Sequence, residues 1–321
     1  MAKKKVYVTR FMENDSIEYL KNYFNVEVNE KNSSISREEF LDRIKDADGV
    51  MCMPTEKIDS EAMNIGKSVK IFANCAVGYD NIDVNEAYRR GVYVTNTPDV
   101  LSDTTAELAF ALLMGCARRI VDADRYTRNG EFKEWSSTVF LGYDILGKTV
   151  GIIGAGRIGR AFAKKCSGFD VKIIYYNRKK DMDFEKEFNA TYATLEELLR
   201  NSDFISLHTP YTSETHHLIG ESEFNIMKKN AIIINTSRGP VVDEKALVNA
   251  LKTKKIYGAG LDVYEKEPCF EPELKDMDNV ILLPHIGSAT FQTRRKMAML
   301  AVENIFEVLN GRKPLTPIAS K

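Results

Sequence analysis

Apolar residues over the first hundred positions recur in two alternating patterns. Short apolar runs such as KVYVTR, GVMCM and GVYVTN predict strands, and intervening segments such as SREEFLDRIKDA place apolar residues at helical spacing. The turn-rich TNTPDVLSD at residues 95–103 interrupts this series, and one long helix is predicted for the following TTAELAFALLMGCARRIVDADRYTRNG. The first series therefore predicts an α/β unit, with helices on the faces of a parallel sheet, that ends near the interruption.

A second alternating series begins at KTVGIIG and runs to NVILLPH. Its strands, among them VKIIYYN, DFISLHTP and AIIINTS, are rich in unbroken Ile, Val and Leu, as expected where helices cover both faces of a parallel sheet. The final FQTRRKMAMLAVENIFEVLNG predicts one amphipathic helix of roughly 20 residues, too short for a separate domain. We expect a doubly wound second unit and a terminal helix that returns to pack on the first.

Composition and charge narrow the classes of partner. The 321 residues are 44% hydrophobic and 28% charged, as in a globular protein of two domains. A net charge of −1 predicts no attraction to nucleic acid or to an anionic membrane surface. The five cysteines lie far apart without a CxxC pair, so we expect reduced thiols and no metal site. MAKKK leads straight into VYVT without a signal peptide or membrane span, so a cytoplasmic protein with a small-molecule substrate is expected.

A glycine-rich motif indicates a dinucleotide site. Residues 154–159 read GAGRIG, a GxGxxG pattern that follows the apolar strand KTVGII and opens the helix RAFAKKCSGF. In this setting Gly154 permits a tight turn, Gly156 lets the backbone approach a pyrophosphate, and Gly159 lets the helix pack on the strand. The helix N-terminus offers N–H groups and a positive dipole end to the phosphates. Nicotinamide dinucleotide binding is therefore predicted here.

The end of the next strand bears on the choice of nucleotide. An NAD site usually has Asp or Glu at this point to bind the ribose hydroxyls. This chain has YYNRKK instead, which places Asn177, Arg178 and Lys179 there. Arg and Lys attract a 2′-phosphate that a carboxylate would repel, so NADP(H) is favoured and NAD(H) is the alternative. A basic solvated loop would have the same composition.

Three later strands end in polar segments that contain candidate catalytic residues. Arg238 follows AIIINTS, Glu267 follows GAGLDVY, and His285 follows NVILLP. Because ligands of open α/β sheets bind at the carboxyl ends of strands, these side chains could converge. Reduction of a 2-oxo acid needs a cation for the carboxylate, a donor that polarises the carbonyl and an acid that protonates its oxygen. Arg238 suits the first two roles and His285 the third, with Glu267 holding the imidazole. The remaining histidines are weaker candidates for the acid: His208, His216 and His217.

With these motifs in place, the chain resembles the D-isomer-specific 2-hydroxyacid dehydrogenase family over essentially its whole length. The resemblance is carried by GKTVGIIGAGRIG, NTSRG, GAGLDVYEKEP and LLPHIGSAT, in the family's order. It implies a catalytic set of Arg238, Glu267 and His285, with His285 as general acid/base, and places Asp262 at the nicotinamide end. The motif, the basic turn and the resemblance together predict these cofactor contacts: Gly154, Gly156, Arg157, Ile158, Asn177, Arg178, Lys179, Thr209, Pro210, Thr236, Arg238, Asp262, His285 and Gly287.

The resemblance also implies the domain organisation. In this family the terminal helix packs on the first domain, which implies a discontinuous substrate domain of residues 1–99 and 288–321 and a Rossmann cofactor domain of residues 100–287. The implied fold class is α/β, with two doubly wound parallel-sheet domains, the first flavodoxin-like, and the active site in the cleft between them. Helix 104–120 and the excursion through Trp135 resemble the family's dimer-forming region, so a homodimer is expected.

A substrate loop is implied as well. NCAVGYD at residues 74–80 resembles the family's substrate loop, whose N–H groups at Val77 and Gly78 would bind the substrate carboxylate opposite Arg238. Together with His285, these residues form the implied substrate contacts.

Within the family, the likeness is closest to glyoxylate/hydroxypyruvate reductases. It is carried by PTEKID, VGYDNID, the segment around Trp135 and YYNRKK, whereas SSTVF after Trp135 departs from the proline-containing pattern of that group. The implied reaction is reduction of glyoxylate or hydroxypyruvate to the D-2-hydroxy acid by hydride from NAD(P)H. A D-lactate or other D-2-hydroxyacid dehydrogenase that uses NADH is the enzymatic alternative. A corepressor-like protein that senses nucleotides and binds other proteins is the alternative without catalysis.

Overall fold

The computed structural model describes residues 3–31 and 33–319, which divide into two compact units. The first unit takes in the described residues up to Leu101 and those from Ser288 onward, and the second runs Ser102–Gly287. The strands of the described residues are β1 (Lys5–Val8), β2 (Asn25–Val28), β3 (Gly49–Cys52), β4 (Ile71–Asn74), β5 (Tyr93–Thr95), β6 (Thr149–Ile153), β7 (Lys172–Tyr176), β8 (Thr191–Tyr192), β9 (Phe204–Leu207), β10 (Ile232–Asn235), β11 (Gly258–Leu261) and β12 (Val280–Leu282). The helices of the same residues are α1 (Asn14–Tyr23), α2 (Arg37–Ile44), α3 (Ser60–Ile65), α4 (Val84–Arg89), α5 (Ser102–Ala117), α6 (Ile120–Arg128), α7 (Arg157–Cys166), α8 (Met182–Phe188), α9 (Leu195–Asn201), α10 (Glu221–Ile226), α11 (Glu244–Lys252) and α12 (Phe291–Leu309).

The first unit is built on a five-stranded parallel sheet in the order β2-β1-β3-β4-β5. This is the flavodoxin-like order, and its central strands β3 and β4 are buried at every position. The terminal helix α12 packs against α1 and these central strands, so closely that a Cβ at Gly49 would lie 3.3 Å from the Leu309 side chain. The prediction of one terminal helix that returns to the first unit is confirmed.

The second unit is built on a seven-stranded parallel sheet in the order β12-β11-β10-β9-β6-β7-β8. This is the Rossmann order with one additional strand beyond β11. Its core strands β9, β10 and β11 are buried throughout. The direction of strand order changes between β6 and β9, and ligands of such sheets bind outside the carboxyl ends of the strands at that point. The predicted α/β class of two doubly wound parallel sheets is confirmed.

The prediction of a single long helix after residue 103 is wrong, because this segment forms two separate helices, α5 and α6. Arg119 lies between the two with a left-handed backbone (φ 54°, ψ 39°). The carbonyl of Ala117 accepts a hydrogen bond from the N–H of Tyr143 at 2.9 Å. A Cβ at Gly142 would lie 2.1 Å from that carbonyl oxygen. A segment distant in sequence therefore ends α5, although helical periodicity continues through the break.

Two further features bear on the classes of function. In the described part of the chain, no helix is long and apolar enough to cross a bilayer. Across residues 3–31 and 33–319, the His, Cys, Asp and Glu side chains form no group of three or more that could hold a metal ion. All five cysteines are unpaired thiols, four of them buried and Cys269 exposed, so the prediction of unpaired cysteines is confirmed.

Candidate active site

The glycine-rich loop joins β6 to α7 at the carboxyl edge of the second sheet. Gly154 has a φ of +97°, and a Cβ there would lie 2.7 Å from the carbonyl carbon of His208, so only glycine fits. A Cβ at Gly159 would lie 2.2 Å from the Gly154 carbonyl oxygen, which explains how α7 packs against the strand. At Gly156, the N-cap of α7, a Cβ would meet nothing within 4 Å. The first turn of α7 therefore presents its backbone to open space.

Two buried hydroxyls at the same sheet edge fit a bound dinucleotide. Oγ1 of Thr209, just past β9, and Oγ1 of Thr236, just past β10, are buried and make no hydrogen bond within the described residues. A buried hydroxyl without a partner costs free energy, so such groups point to a polar ligand. Both residues are among the predicted cofactor contacts, and Pro210 follows Thr209. With the open backbone at Gly156, these hydroxyls form a donor set that suits a pyrophosphate and its attached sugars.

The end of β7 carries exposed positive charge. Oδ1 of Asn177 accepts a hydrogen bond from the N–H of Ala155 at 2.8 Å, so this side chain braces the glycine-rich loop. The side chains of Arg178, Lys179 and Lys180 are exposed, and Lys180 forms an ion pair with Glu185 at 3.3 Å. Arg178 and Lys179 thus supply positive charge where an NAD site usually has a carboxylate.

His285 and Glu267 lie in direct contact. Nδ1 of His285 donates a hydrogen bond to Oε2 of Glu267 at 2.8 Å, and Oε1 of Glu267 accepts the N–H of Tyr264 at 3.2 Å. Burial tends to raise the pKa of Glu267, but the bond from His285, its charge and the charge of Arg238 lower it below its ordinary value. The structure therefore brings two of the predicted catalytic residues, His285 and Glu267, into contact, and the charge of the third, Arg238, also acts on the Glu267 carboxylate.

The loop that carries Arg238 is held by a residue that sequence reasoning missed. Asn235 is buried at the end of β10, and its Nδ2 donates to the carbonyl of Arg238 at 3.0 Å. Its Oδ1 accepts the N–H of Ser237 at 3.0 Å and the hydroxyl of Ser237 at 2.8 Å. Nη1 of Arg238 donates to the Ser237 carbonyl at 2.9 Å. An asparagine at the end of the buried run IIIN is the sequence signal that could have indicated this role.

Asp262 holds the turn that follows His285. Its side chain is buried, and its two oxygens accept the N–H groups of Ile286 and Gly287, both at 2.7 Å. Burial raises the pKa of Asp262, and the two backbone bonds and the charge of His285 oppose that rise. His285 itself has a left-handed backbone with φ 55°, which is uncommon away from glycine and recurs at functional sites. The predicted contact of Asp262 with the nicotinamide stays a prediction.

The other histidines differ in their surroundings. His208 is packed against the ring of Phe162 at 5.0 Å, and burial lowers its pKa to about 3, so it is neutral. His216 and His217 stack at 4.0 Å, and His217 bonds to the carboxylate of Glu265. A neutral His208 is poorly suited to donate a proton, which agrees with the prediction that it is a weaker candidate than His285 for the acid.

The predicted substrate loop belongs to the first unit. Asn74 donates from Nδ2 to the carbonyl of Gly78, and Asn96 donates from Nδ2 to the carbonyl of Val77, both at 2.8 Å. Within residues 3–31 and 33–319, the N–H groups of Val77 and Gly78 make no hydrogen bond. The loop that carries these two N–H groups is thus held by Asn74 and by Asn96, a residue that sequence reasoning missed.

Exposed apolar side chains recur in the segment that follows α5 in the second unit. Trp135 is 81% exposed, and α6 has no buried residue. The surface, called the 120–146 surface below, comprises Ile120, Val121, Phe132, Trp135, Val139, Leu141 and Leu146.

Comparison with known proteins bears on the family. The family model for "D-isomer specific 2-hydroxyacid dehydrogenase, NAD binding domain" matches residues 110–287. A curated glyoxylate reductase from Thermococcus kodakarensis is 50% identical over 316 residues, which cover 97% of this chain and 95% of the relative. The crystal structure of the TT0316 protein from Thermus thermophilus matches with a TM-score of 0.93 at 40% identity, over 98% of this chain and 100% of that one.

A solved structure with bound ligands is also similar. An NADPH-dependent glyoxylate/hydroxypyruvate reductase from Sinorhizobium meliloti, in complex with NADP and malonate, matches with a TM-score of 0.89 at 32% identity. The match covers 99% of this chain and 97% of that one. The family inferred from the sequence motifs is thereby confirmed: this chain belongs to the D-isomer specific 2-hydroxyacid dehydrogenases and is a nicotinamide-dependent oxidoreductase.

Proposed function

We propose that this protein reduces glyoxylate, and also hydroxypyruvate, to the corresponding D-2-hydroxy acid, with NADPH as the favoured hydride donor. The observation that carries the proposal is the His285–Glu267 hydrogen bond beside Arg238, at the carboxyl edge of the NAD-binding sheet. The curated relative from Thermococcus kodakarensis bears the name glyoxylate reductase, which supports the substrate.

The three side chains divide the chemistry between them. Arg238 binds the carboxylate of the 2-oxo acid and draws electron density from the adjacent carbonyl, because its guanidinium presents two parallel donors. Nδ1 of His285 is engaged by Glu267, so Nε2 is the nitrogen that gives its proton to the substrate oxygen. The carboxylate of Glu267, ionised because its pKa is lowered, accepts the bond from Nδ1 and holds the imidazole in place. Bound NADPH would supply the hydride.

The substrate loop would provide further hydrogen bonds to the substrate. The N–H groups of Val77 and Gly78 are adjacent donors, and the loop that carries them is held by bonds from Asn96 to the carbonyl of Val77 and from Asn74 to the carbonyl of Gly78. Backbone donors fixed in this way bind a carboxylate without a further charge. We assign these two N–H groups to the substrate carboxylate, as the family resemblance implies.

The choice of NADPH rests on the end of β7. Exposed Arg178 and Lys179 would attract the 2′-phosphate, and Asn177 has no charge to repel it. The similar reductase from Sinorhizobium meliloti is described as NADPH-dependent, which supports the same preference.

A homodimer is the proposed assembly, with a second copy of this chain on the 120–146 surface. Apolar side chains grouped on one surface are typical of protein interfaces. The location proposed for the dimer is the cytoplasm, where thiols such as the four buried cysteines stay reduced.

Initial rates with three acids and two nucleotides test the function. Glyoxylate, hydroxypyruvate and pyruvate are each supplied with NADPH or NADH, and the loss of reduced-nicotinamide absorbance is followed. Fast turnover of the first two acids with NADPH is expected. Pyruvate with NADH as the fastest pair would instead indicate a D-lactate dehydrogenase. Nucleotide binding without turnover of any of these acids would favour a nucleotide sensor and contradict the proposal.

A further inference from the structure

A buried carboxylate lies next to the loop that carries Glu267. Glu244 is the first residue of α11 and is only 4% exposed, and it pairs with no basic side chain among the described residues. Oε1 of Glu244 instead accepts the N–H of Glu265 at 2.5 Å, and Oε2 accepts the N–H of Glu271 at 3.0 Å. These two bonds should hold both N–H groups firmly, because breaking them would leave the buried carboxylate of Glu244 unpaired.

The two N–H groups stand on either side of Glu267 in the chain. Glu267 lies between Glu265 and Glu271, and its carboxylate reaches back to the N–H of Tyr264 and across to His285. The position of Glu267 therefore depends on the path of the loop of residues 265–271. Both ends of this loop bond to Glu244. Glu244 is not required to cap α11, since the side chain of Asp243 already accepts the N–H of Ala246 at the start of that helix.

A second connection extends from this cluster to the loop of Arg238. The carboxylate of Glu265 bonds to the imidazole of His217, and the N–H of His217 donates to the carbonyl of Pro240 at 2.8 Å. Pro240 lies in the turn that begins at Arg238. The segment beside Glu267 is thus tied to the segment beside Arg238 by contacts that involve neither catalytic side chain directly.

We propose that Glu244 is a positioning residue for Glu267 and, through it, for His285. The proposal rests on the function proposed above and adds a residue that would touch neither substrate nor cofactor. Small misplacements of a catalytic group cost large factors in rate, so a loop freed at both ends should slow the proton transfer step. Binding of the nucleotide at the glycine-rich loop should not change.

The test compares Glu244→Gln with a matched control, Asp203→Asn. Gln keeps the shape of Glu244 but turns one acceptor into a donor that faces a backbone N–H. Asp203 is also a buried carboxylate that accepts a backbone N–H, from Thr149 at 2.9 Å, but it stands at the amino end of β9, on the opposite edge of the sheet. We expect Glu244→Gln to lower kcat by about tenfold to a hundredfold, with KM for glyoxylate and Kd for NADPH within about twofold. Asp203→Asn should leave kcat unchanged.

A double-mutant cycle separates positioning from a general structural role. In a Glu267→Gln background, Glu244→Gln should lower kcat by less than about twofold, because the group it positions is already altered. An equal loss of kcat in both backgrounds, or the same loss from Asp203→Asn, would overturn the proposal. If Glu244→Gln does not fold, Glu244→Asp takes its place in the cycle, since the shorter side chain keeps the charge but cannot reach both N–H groups.

A measurement that does not depend on turnover separates the two proposals, the positioning role of Glu244 and the proposed function. The chain has four histidines, so the imidazole signals can be assigned by NMR. We expect the ring signals of His285 to move in Glu244→Gln relative to the wild type, because the carboxylate that bonds to Nδ1 of His285 is displaced. Unmoved ring signals would overturn the positioning role. Absence of wild-type turnover with moved ring signals in Glu244→Gln would contradict the proposed function and leave the positioning role supported.

Discussion

At the scale of single residues, the chemistry depends on how each catalytic side chain is held. Three features fix His285. Glu267 bonds to its ring, Asp262 bonds to the backbone that follows it, and its own backbone is in the left-handed conformation. Arg238 is braced through Asn235. Fixed groups lose little freedom at the transition state, which is the main advantage of a preorganised site.

Replacing His285 by alanine tests the proton donor at this scale. We expect kcat for glyoxylate reduction to fall by about 10²-fold to 10⁴-fold, the usual range for general acid catalysis, while Kd for NADPH stays nearly constant. Stopped-flow rates and nucleotide titration measure the two quantities. His216→Ala is the control because that histidine is exposed, stacks on His217, and meets Tyr211 edge-on and through a hydrogen bond. Near-normal turnover in His285→Ala would show that another group donates the proton.

At the scale of elements, the two sheet edges of the second unit have different roles. The segments proposed to bind cofactor and substrate follow the carboxyl ends of β6, β7, β9, β10, β11 and β12, where ligands of parallel sheets bind. The amino edge carries structural contacts, among them the buried carboxylate of Asp203. Oδ1 of Asp203 accepts Nζ of Lys228 at 3.0 Å and Nδ2 of Asn230 at 3.1 Å, and its Oδ2 accepts the N–H of Thr149.

The stability contributed by Asp203 should depend on pH. Burial tends to raise the pKa of Asp203, but its hydrogen bonds and Lys228 lower it below the ordinary value. Because the folded state holds the ionised form, this contribution is present above the ordinary aspartate pKa of about 4 and is lost as pH falls through the lower folded value. Asp203→Asn should lower the free energy of unfolding by about 1–3 kcal/mol at pH 7, and by less as the pH drops below about 4.

Urea denaturation at a series of pH values checks this expectation. The control is Asp278→Asn, because Asp278 is exposed and its pair with Arg125 spans 3.8 Å, so its removal should change stability little at any pH. A destabilisation by Asp203→Asn that is constant from neutral to acid pH would contradict the assigned cause.

At the scale of the whole molecule, the property to be tested is the proposed association of two copies of this chain into a homodimer. Trp135 is the single tryptophan of the chain and lies on the 120–146 surface. If a second copy covers that surface, light scattering should give a mass about twice 36.3 kDa, and tryptophan emission should shift to longer wavelength as dilution separates the copies.

A charged substitution on this surface supplies the contrast. Leu141→Glu should halve the scattering mass, because a buried charge in an apolar interface is costly. Tyr88→Ser, which removes an exposed side chain of the first unit outside the 120–146 surface, should leave the mass unchanged. A wild-type mass of one chain at micromolar concentration would contradict the homodimer.

Local patterns and tertiary contacts account for different parts of this protein. The alternation of apolar strands and amphipathic helices determined the α/β class, because burial on both faces of a parallel sheet leaves a continuous apolar run in each strand. GAGRIG determined a glycine loop, since steric limits at Gly154 and Gly159 act between near neighbours in sequence or on adjacent strands. Arg238, Glu267 and His285 could be named as candidates because each follows the end of an apolar strand.

What the sequence alone could not determine are contacts between residues far apart in the chain. The break between α5 and α6 depends on Tyr143 reaching Ala117, which no helical periodicity records. The bonds of Glu244 to the N–H groups of Glu265 and Glu271 depend on α11 lying next to a later loop. Asn235 resembles any polar residue at the end of a strand until its bonds are seen. Hydrogen bonds of this kind join groups whose proximity is created only by folding, so tertiary structure alone decides which polar residues hold the site in place.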